Sequence, residues 1–369
     1  MSELVINPGE LNTFIFKGVQ WADEGAGENF LSLESAKVFG ENEKIWRSLS
    51  TNEAIAKGAR GIPIASAKKR YALPDYLRDI APRALRKSGL VGKDGKPRAK
   101  PAVRFNGPLC RISTEPPLAL LSTGDDPDRV QQEIRLRRVS YYDGESSTEL
   151  WHWSLETKFD ASPPMSPGRR VPLEAAADLE RRILQLDYSK MANIIRITFV
   201  AITSDQKVVM VRQGAQNSVT FGAFALSSSG SLDWKNVTRV QKGRQTTKAT
   251  SHVGPSLHDV LMEGMLRELH EESLAEPREV ISQSAEITGY FRWLSRGAKP
   301  EFTGIVRLSV SSTDLMKRSV RGAERPYTDS HAFIPVESLT TAGQSRVDWE
   351  EPLKSLRECL DAAVPGIEH

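Results

Sequence analysis

Three glutamates stand at i, i+3 and i+4 in the run Arg267-Glu268-Leu269-His270-Glu271-Glu272, with one arginine among them. On a helix this spacing places Glu268, Glu271 and Glu272 on one face. Glu268 and Glu272 are like charges one turn apart, which costs roughly 0.2–0.5 kcal/mol. They also fall in the last turns of the predicted helix, where the macrodipole disfavours negative charge. Carboxylates gathered against a helix's own preference suit a hard divalent cation, because such ions prefer oxygen donors.

The helix that must carry them is predicted to start close to Pro255. Leu257, Val260 and Leu261 define an apolar stripe that passes through Gly264 and arrives at Glu268, Glu271 and Glu272. The acids therefore point to the side the helix otherwise buries, at the lip of a cleft, and buried carboxylates need partners. Arg267 neutralises part of the charge, and three acids against one cation leave an excess. The plainer alternative is an exposed helix decorated by Glu263–Arg267 and Arg267–Glu271 pairs. It leaves the alignment of acids with the apolar stripe without a cause.

These residues resemble the signature of the Nudix hydrolases, Gly-x5-Glu-x7-Arg-Glu-U-x-Glu-Glu-x-Gly-U, where U is aliphatic. Arg267, Glu268, Leu269, Glu271 and Glu272 match it, and Asp259 stands at the upstream Glu position. Val253 occupies the first Gly position, next to Gly254, and Leu274 replaces the last Gly. The resemblance implies cleavage of a nucleoside diphosphate linked to another moiety, by water attacking a phosphorus of the pyrophosphate. It implies Mg²⁺ (or Mn²⁺) held by Glu268, Glu271 and Glu272, with Arg267 orienting a glutamate by ion pairing. Glu271, Glu272 and Arg267 are then the candidate catalytic residues. A ligand carboxylate or a later acid would serve as general base, and Glu301, Glu324 and Asp329 all qualify. The family's Gly-rich strand end before the helix is matched by Gly230.

At 369 residues the chain is long enough for two domains, and 39% hydrophobic with 26% charged residues is a globular composition. A net charge of +3 does not by itself imply a nucleic-acid partner. Cys110 and Cys359 show no ligand spacing and read as free thiols in a reducing compartment. No apolar run approaches a membrane span and no signal pattern opens the chain, so the expected location is the cytoplasm. Lys68 to Arg104 carries twelve Lys and Arg against three Asp, a patch that could hold phosphates or a nucleic-acid backbone, or simply lie in solvent. Within it, Pro74 to Lys87 reads as a short helix. Gln131 to Lys158 reads as strands with a hairpin turn at Asp143-Gly144.

The Pro/Ser-rich stretch at 161–171 is expected to link an N-terminal α+β domain (1–160) to a C-terminal domain (172–369). In the latter, a helix opened by Pro172 precedes strands near Asn193–Thr203, Lys207–Arg212 and Phe221–Leu226. After the acidic helix come strands near Val280–Trp293, Phe302–Val310 and His331–Val336, then a closing helix at Glu350–Ala363. Mixed strands around one acidic helix fit an α/β/α sandwich, the fold the resemblance also implies. Between Gly230 and that helix lies a basic insertion containing Lys235, Arg239, Lys242, Arg244 and Lys248, read as a mobile loop. A cationic loop there could close over phosphates, which makes Gly230, Arg244 and Lys248 candidate substrate contacts. Two rival readings stand beside hydrolysis. One is a nucleotide-sensing module that binds without cleaving, suggested by the missing box glycines. The other is RNA-end pyrophosphate processing, with the Lys68–Arg104 patch tracking RNA.

Overall fold

The protein is described from a computed structural model. It covers 52, 55, 62–87, 90–91, 106–116, 133–150, 184–213, 224–226, 228–246, 254–293, 297–318 and 328–337. The backbone alone is described at 11–16, 36–38, 45–48, 76, 87, 153–157, 170–172, 213, 224–225, 244–246 and 328–329. The Pro172 helix, the closing helix at 350–363 and most of the 161–171 stretch lie outside these residues; Arg170–Pro172 forms a strand.

A nine-stranded mixed sheet organises the molecule. Its members are β2 (Ala36–Val38), β3 (Ile45–Ser48), β9 (Arg196–Ile202), β10 (Lys207–Gln213), β11 (Phe224–Leu226), β12 (Ser229–Ser231), β13 (Val280–Trp293), β14 (Lys299–Leu308) and β15 (Thr328–Pro335). Its main path runs β11-β10-β9-β14-β13-β3-β2, and β9 with β14 is its parallel pair. A second sheet places β6 (Ile134–Ser140) between β4 (Ile64–Ala67) and β5 (Pro108–Ile112); a third orders β1 (Leu11–Phe16), β7 (Trp153–Thr157) and β8 (Arg170–Pro172). Strands expected near 193–203, 207–212, 280–293, 302–310 and 331–336 are all present. One apolar core joins Ile64, Cys110, Ile112, Ile134 and Leu136 to Ile197, Phe199, Phe302 and Val306. Backbone bonds from Cys110 to Leu232 and from Ile195 to Cys110 tie β5 to the strands of the main sheet.

The acidic helix, here α4 (Leu257–Glu272), starts for a local reason. The Ser256 side chain accepts from the Asp259 N–H at 3.2 Å, and Asp259 Oδ2 accepts from the Ser256 N–H at 3.1 Å. This reciprocal cap satisfies two N-terminal amides. Asp259 is thus occupied at the start of the helix, away from the acids of its last turns. Leu257, Val260, Leu261, Met265 and Leu269 are buried, each stabilising by roughly 1.5–3 kcal/mol on full burial. At Gly264 a Cβ would lie 2.4 Å from Leu232 Cδ1, so the missing side chain lets the helix settle onto the sheet.

Two expectations are corrected. Asp143-Gly144 is not a hairpin turn but part of α2 (Tyr141–Glu145), because Ser140 and Asp143 form a second reciprocal cap and β6 pairs with β4 and β5 instead. The basic insertion is not a mobile loop through its first half: Trp234–Thr246 is a helix, α3. Val237 is fully buried and Trp234 and Val240 pack on the core, an i, i+3, i+6 stripe that outweighs the basic composition. Arg239 bonds Glu263 on α4 at 3.1 Å, and Gln241 bonds Ser66 on β4. The helix expected at Pro74–Lys87 is present as α1 (Asp75–Lys87).

Candidate functional site

β9 and β10 meet at Val208↔Ile202 and then diverge. Residues 224–231 run through the opening: Phe224–Leu226 pairs with β10, and Ser229–Ser231 pairs with β9. The last two turns of α4 lie against this second segment. Its backbone is therefore what the acidic side chains meet.

Glu268 and Glu272 are each 8% exposed, as the stripe predicts, whereas the Glu271 side chain is 40% exposed. The structure thus draws two of the three acids under the sheet and leaves the third at the rim. Glu272 Oε2 accepts from the Ser229 N–H at 3.1 Å. Gly230 faces Glu268 so closely that a Cβ would stand 2.2 Å from Oε1. Only glycine leaves room for that carboxylate where it now sits.

Arg267 bridges the group. It donates to Glu271 Oε2 at 2.6 Å, to Glu268 Oε1 at 2.7 Å and to the Ser231 carbonyl at 3.3 Å. Burial pulls its pKa down, and the Glu268 and Glu271 carboxylates more than offset this, holding it above the usual arginine value. Its Nε is buried without a hydrogen bond among the described residues.

The helix ends at Ser273, whose hydroxyl donates to the Leu269 carbonyl. Leu274 follows with φ of 64°, in the left-handed region that glycine enters without steric cost. A left-handed turn is made here by a leucine, at the position where the signature has glycine. Arg318 steadies it, donating to the Leu274 carbonyl at 2.9 Å and to both oxygens of Glu279 at 2.7 Å. The other departure, Val253, lies outside the described residues, and Gly254 is exposed.

Several residues near the acids carry no local sequence signal. Ser229 reaches Glu272 across 43 residues and His331 reaches the Glu272 carbonyl at 2.7 Å across 59. Burial lowers the His331 pKa, opposed by that hydrogen bond. His270 is half-buried with Nε2 unbonded among the described residues, and burial lowers its pKa too.

The candidate general bases separate. Glu324 lies outside the described residues; Asp329 lies near the start of β15 with its side chain undescribed. Glu301 is 1% exposed on β14. Its neighbour Phe302 packs into the α4 core, so alternation along the strand turns Glu301 to the opposite face of the sheet. There Glu301 Oε1 accepts from Thr198 at 2.6 Å and Oε2 lies 3.6 Å from Arg196 Nε. Of the candidate substrate contacts, Gly230 is at the acids, Arg244 lies in the last turn of α3 with its side chain undescribed, and Lys248 lies outside the described residues.

Carboxylate oxygens on one buried helix face match a hard divalent cation in donor type. In arrangement they are closed on Arg267, and among the described residues no three His, Cys, Asp or Glu side chains converge on a common metal position. No helix among the described residues is long and apolar enough to cross a membrane.

No protein-family model matches the chain, and no curated protein matches it significantly. Solved structures that resemble it include a Nudix hydrolase from Alicyclobacillus acidocaldarius, 15% identical, covering 48% of this chain and 98% of its own, with a TM-score of 0.28. Another is the MutT protein from Methanosarcina mazei Go1, 12% identical, covering 46% of this chain and 92% of its own, with a TM-score of 0.25. At these scores the reading of the site rests on the chain's own residues.

Proposed function

We propose that this chain hydrolyses the pyrophosphate bond of a nucleoside diphosphate linked to another moiety, at the C-terminal turns of α4. The observation that carries the reading is the burial of Glu268 and Glu272 one turn apart, against the segment Ser229–Ser231. A surface ornament would leave both in water, where the helix dipole and their mutual repulsion cost least.

In this reading Glu268, Glu271 and Glu272 would hold Mg²⁺ or Mn²⁺. When bound, such an ion neutralises the pyrophosphate and lowers the pKa of the attacking water. The chain's own groups do the rest. The Ser229 N–H fixes the Glu272 carboxylate, Arg267 orients Glu268 and Glu271, and the bare backbone at Gly230 keeps space beside Glu268. Ser229 and Ser231 are held to β9 by strand pairing, so the groups facing the acids are set on a rigid element.

A second reading, nucleotide binding without cleavage, draws on the Arg267 pairs that already occupy Glu268 and Glu271. One experiment separates the two. ADP-ribose, NAD, dinucleoside polyphosphates, nucleoside triphosphates and capped RNA are each incubated with the full chain and Mg²⁺ or Mn²⁺. Release of a nucleotide product that stops on chelation supports hydrolysis. Binding of a nucleotide with no product from any substrate supports the module that binds only.

A further inference from the structure

The second sheet gathers arginines on one face. Alternation along β6 turns Arg135 and Arg137 to the same side, and Arg111 on β5 pairs in register with Arg137. Side chains directly opposite start about 4.5–5.5 Å apart, and like charges so placed are destabilising. On the other flank β4 sets Ala65 beside Arg135 and Ala67 beside Arg137, so methyl groups are their neighbours there. Of the three arginines, Arg135 is ion-paired, with Asp187 at 2.9 Å. The next residue along from Arg111, Cys110, turns into the core shared with Leu261 and Met265 of α4. Arg111 and its companions therefore lie on the side of β5 away from the acidic helix.

Arg111 is fixed in place. Its Nε donates to the Met191 carbonyl at 3.0 Å, its Nη2 donates to the Ser189 carbonyl at 2.8 Å, and its guanidinium lies over the Tyr71 ring, 5.2 Å from the centroid. Burial lowers its pKa to about 10; Tyr71 opposes the fall, and the Arg137 and Arg135 charges add to it. It stays cationic at neutral pH, so a buried positive charge stands across from Arg137 and repels it. Arg137 is half-buried, and its Nε is sealed from solvent without a hydrogen bond among the described residues. The chain leaving β4 adds to the charge. Lys68, Lys69 and Arg70 are exposed, and the Tyr71 N–H donates to the carbonyl of Arg138, bringing that basic turn back against the end of β6. The basic run read from the sequence thus begins where the arginine face ends. An anion shared by these guanidiniums turns their repulsion into a common attraction, and arginine forks match phosphate oxygens in pairs.

We propose that the face of the second sheet carrying Arg111, Arg135 and Arg137 binds a phosphate group, with Arg137 and Arg135 contacting its oxygens and Arg111 supplying fixed positive charge behind them. Free phosphate and a nucleic-acid backbone present the same group to this face. The site goes beyond the hydrolase reading and does not depend on it.

The test uses the full chain with a chelator present, so that no divalent ion at the acidic end of α4 carries the anion. Inorganic phosphate and a single-stranded oligoribonucleotide are separate probes in calorimetric titrations at constant ionic strength. Arg137→Gln is expected to raise the Kd about tenfold. Its urea midpoint should hold or rise, because the repulsion with Arg111 disappears. A residue with a purely structural role would lose stability instead. Arg137→Lys keeps the charge and loses the fork, so it should fold as the unaltered chain does and lose part of the affinity. Binding of phosphate identifies a small anion as the ligand. Binding of the oligonucleotide that phosphate does not displace identifies a nucleic-acid backbone, and the slope of log affinity against log salt should then fall by about one in Arg137→Gln. Either result supports the site. Binding of neither probe, unchanged affinity in both variants, or a lowered urea midpoint in Arg137→Gln overturns it, and none of these outcomes bears on turnover at α4.

Discussion

Two regions of this molecule bury carboxylates, and they treat them in opposite ways. Glu115, in the segment after β5, accepts from Tyr290 Oη at 2.7 Å, from Arg292 Nη1 at 2.7 Å and from the Leu186 N–H at 3.0 Å. Asn52 adds two bonds to the Tyr290 backbone, and Asp187 accepts from the Glu115 N–H and from Arg135. One carboxylate there meets three donors, with a fully buried arginine as counter-ion. Burial, and then the neighbouring Glu115 charge, push the Tyr290 phenol well above its ordinary pKa, so it stays a donor. At the end of α4 the ratio is inverted, with one arginine, Arg267, shared by two carboxylates, Glu268 and Glu271. Saturated charge makes a joint between segments far apart in sequence. Like charges one turn apart near the end of the helix, Glu268 and Glu272, are held there at some expense to the helix.

The largest effect should come from breaking the joint. Glu115→Ala leaves the Arg292 charge buried without its carboxylate, and loss of one partner of a buried pair costs about 3–5 kcal/mol. Urea denaturation should show that fall in midpoint, with nucleotide binding by the remaining folded fraction intact. A shift no larger than that of a surface mutation would dissolve the contrast between the regions.

At the acidic face the same kind of change should act in the other direction. Glu272→Gln keeps an oxygen for the Ser229 N–H and removes one charge from the cluster. Stability should hold or rise by roughly 0.2–0.5 kcal/mol as the repulsion with Glu268 disappears. Turnover should fall by about 10²–10³-fold, the scale of losing one preorganised electrostatic contact. Hydrolysis that survives the change would place the chemistry elsewhere.

Gly230→Ala sharpens the contrast further. The added methyl meets the far end of a flexible side chain, the Glu268 carboxylate, rather than backbone. The fold should lose less than about 1 kcal/mol, because the carboxylate can swing aside. Activity should drop about a hundredfold, since a displacement near 1 Å in a catalytic constellation has that effect. Thermal melts beside initial rates would read both quantities from one preparation.

What could be read beforehand follows from the range of the interactions. The acidic helix was legible because its signals are local, Pro255 at its start and the stripe from Leu257 to Glu272; the Ser256–Asp259 cap that begins it was not read. β9 and β10 were legible as apolar runs near Asn193–Thr203 and Lys207–Arg212. The helix Trp234–Thr246 was hidden by its basic composition, since three apolar residues decide it and their burial depends on β5 and α4. Asp143-Gly144 looked like a hairpin because the competing Ser140 cap and the pairing of β6 with β4 and β5 outweigh the turn propensity. Ser229 beneath Glu272, His331 at its carbonyl and Arg196 beside Ser231 are meetings across tens of residues, which no local spacing encodes. Leu274 shows the converse: the missing glycine was visible, while the left-handed turn that persists without it was not.

The smallest effect concerns the brace behind the acidic face. Arg318 holds Glu279 with two hydrogen bonds and also donates to the Leu274 carbonyl, where the helix hands over to β13. Those Arg318 bonds lower the Glu279 pKa from its ordinary value near 4.5, and the same pair raises that of Arg318. A carboxylate with a depressed folded pKa contributes stability that is fully present above its unfolded pKa and is lost as pH falls through the folded one. The pair should therefore add fully to stability at neutral pH, and that contribution should begin to fall near pH 4.5 and be lost as pH drops through the lowered Glu279 pKa. The Arg318 side chain is 30% exposed, so the contribution is modest and screened by salt. Arg318→Met should flatten the acid limb of the stability curve in chemical denaturation between pH 7 and pH 3. It should also loosen the Leu274 turn, seen as faster amide exchange at the end of α4. A variant whose acid limb is as steep as that of the unaltered chain would show that Glu279 is held by other groups, and that the turn stands without its brace.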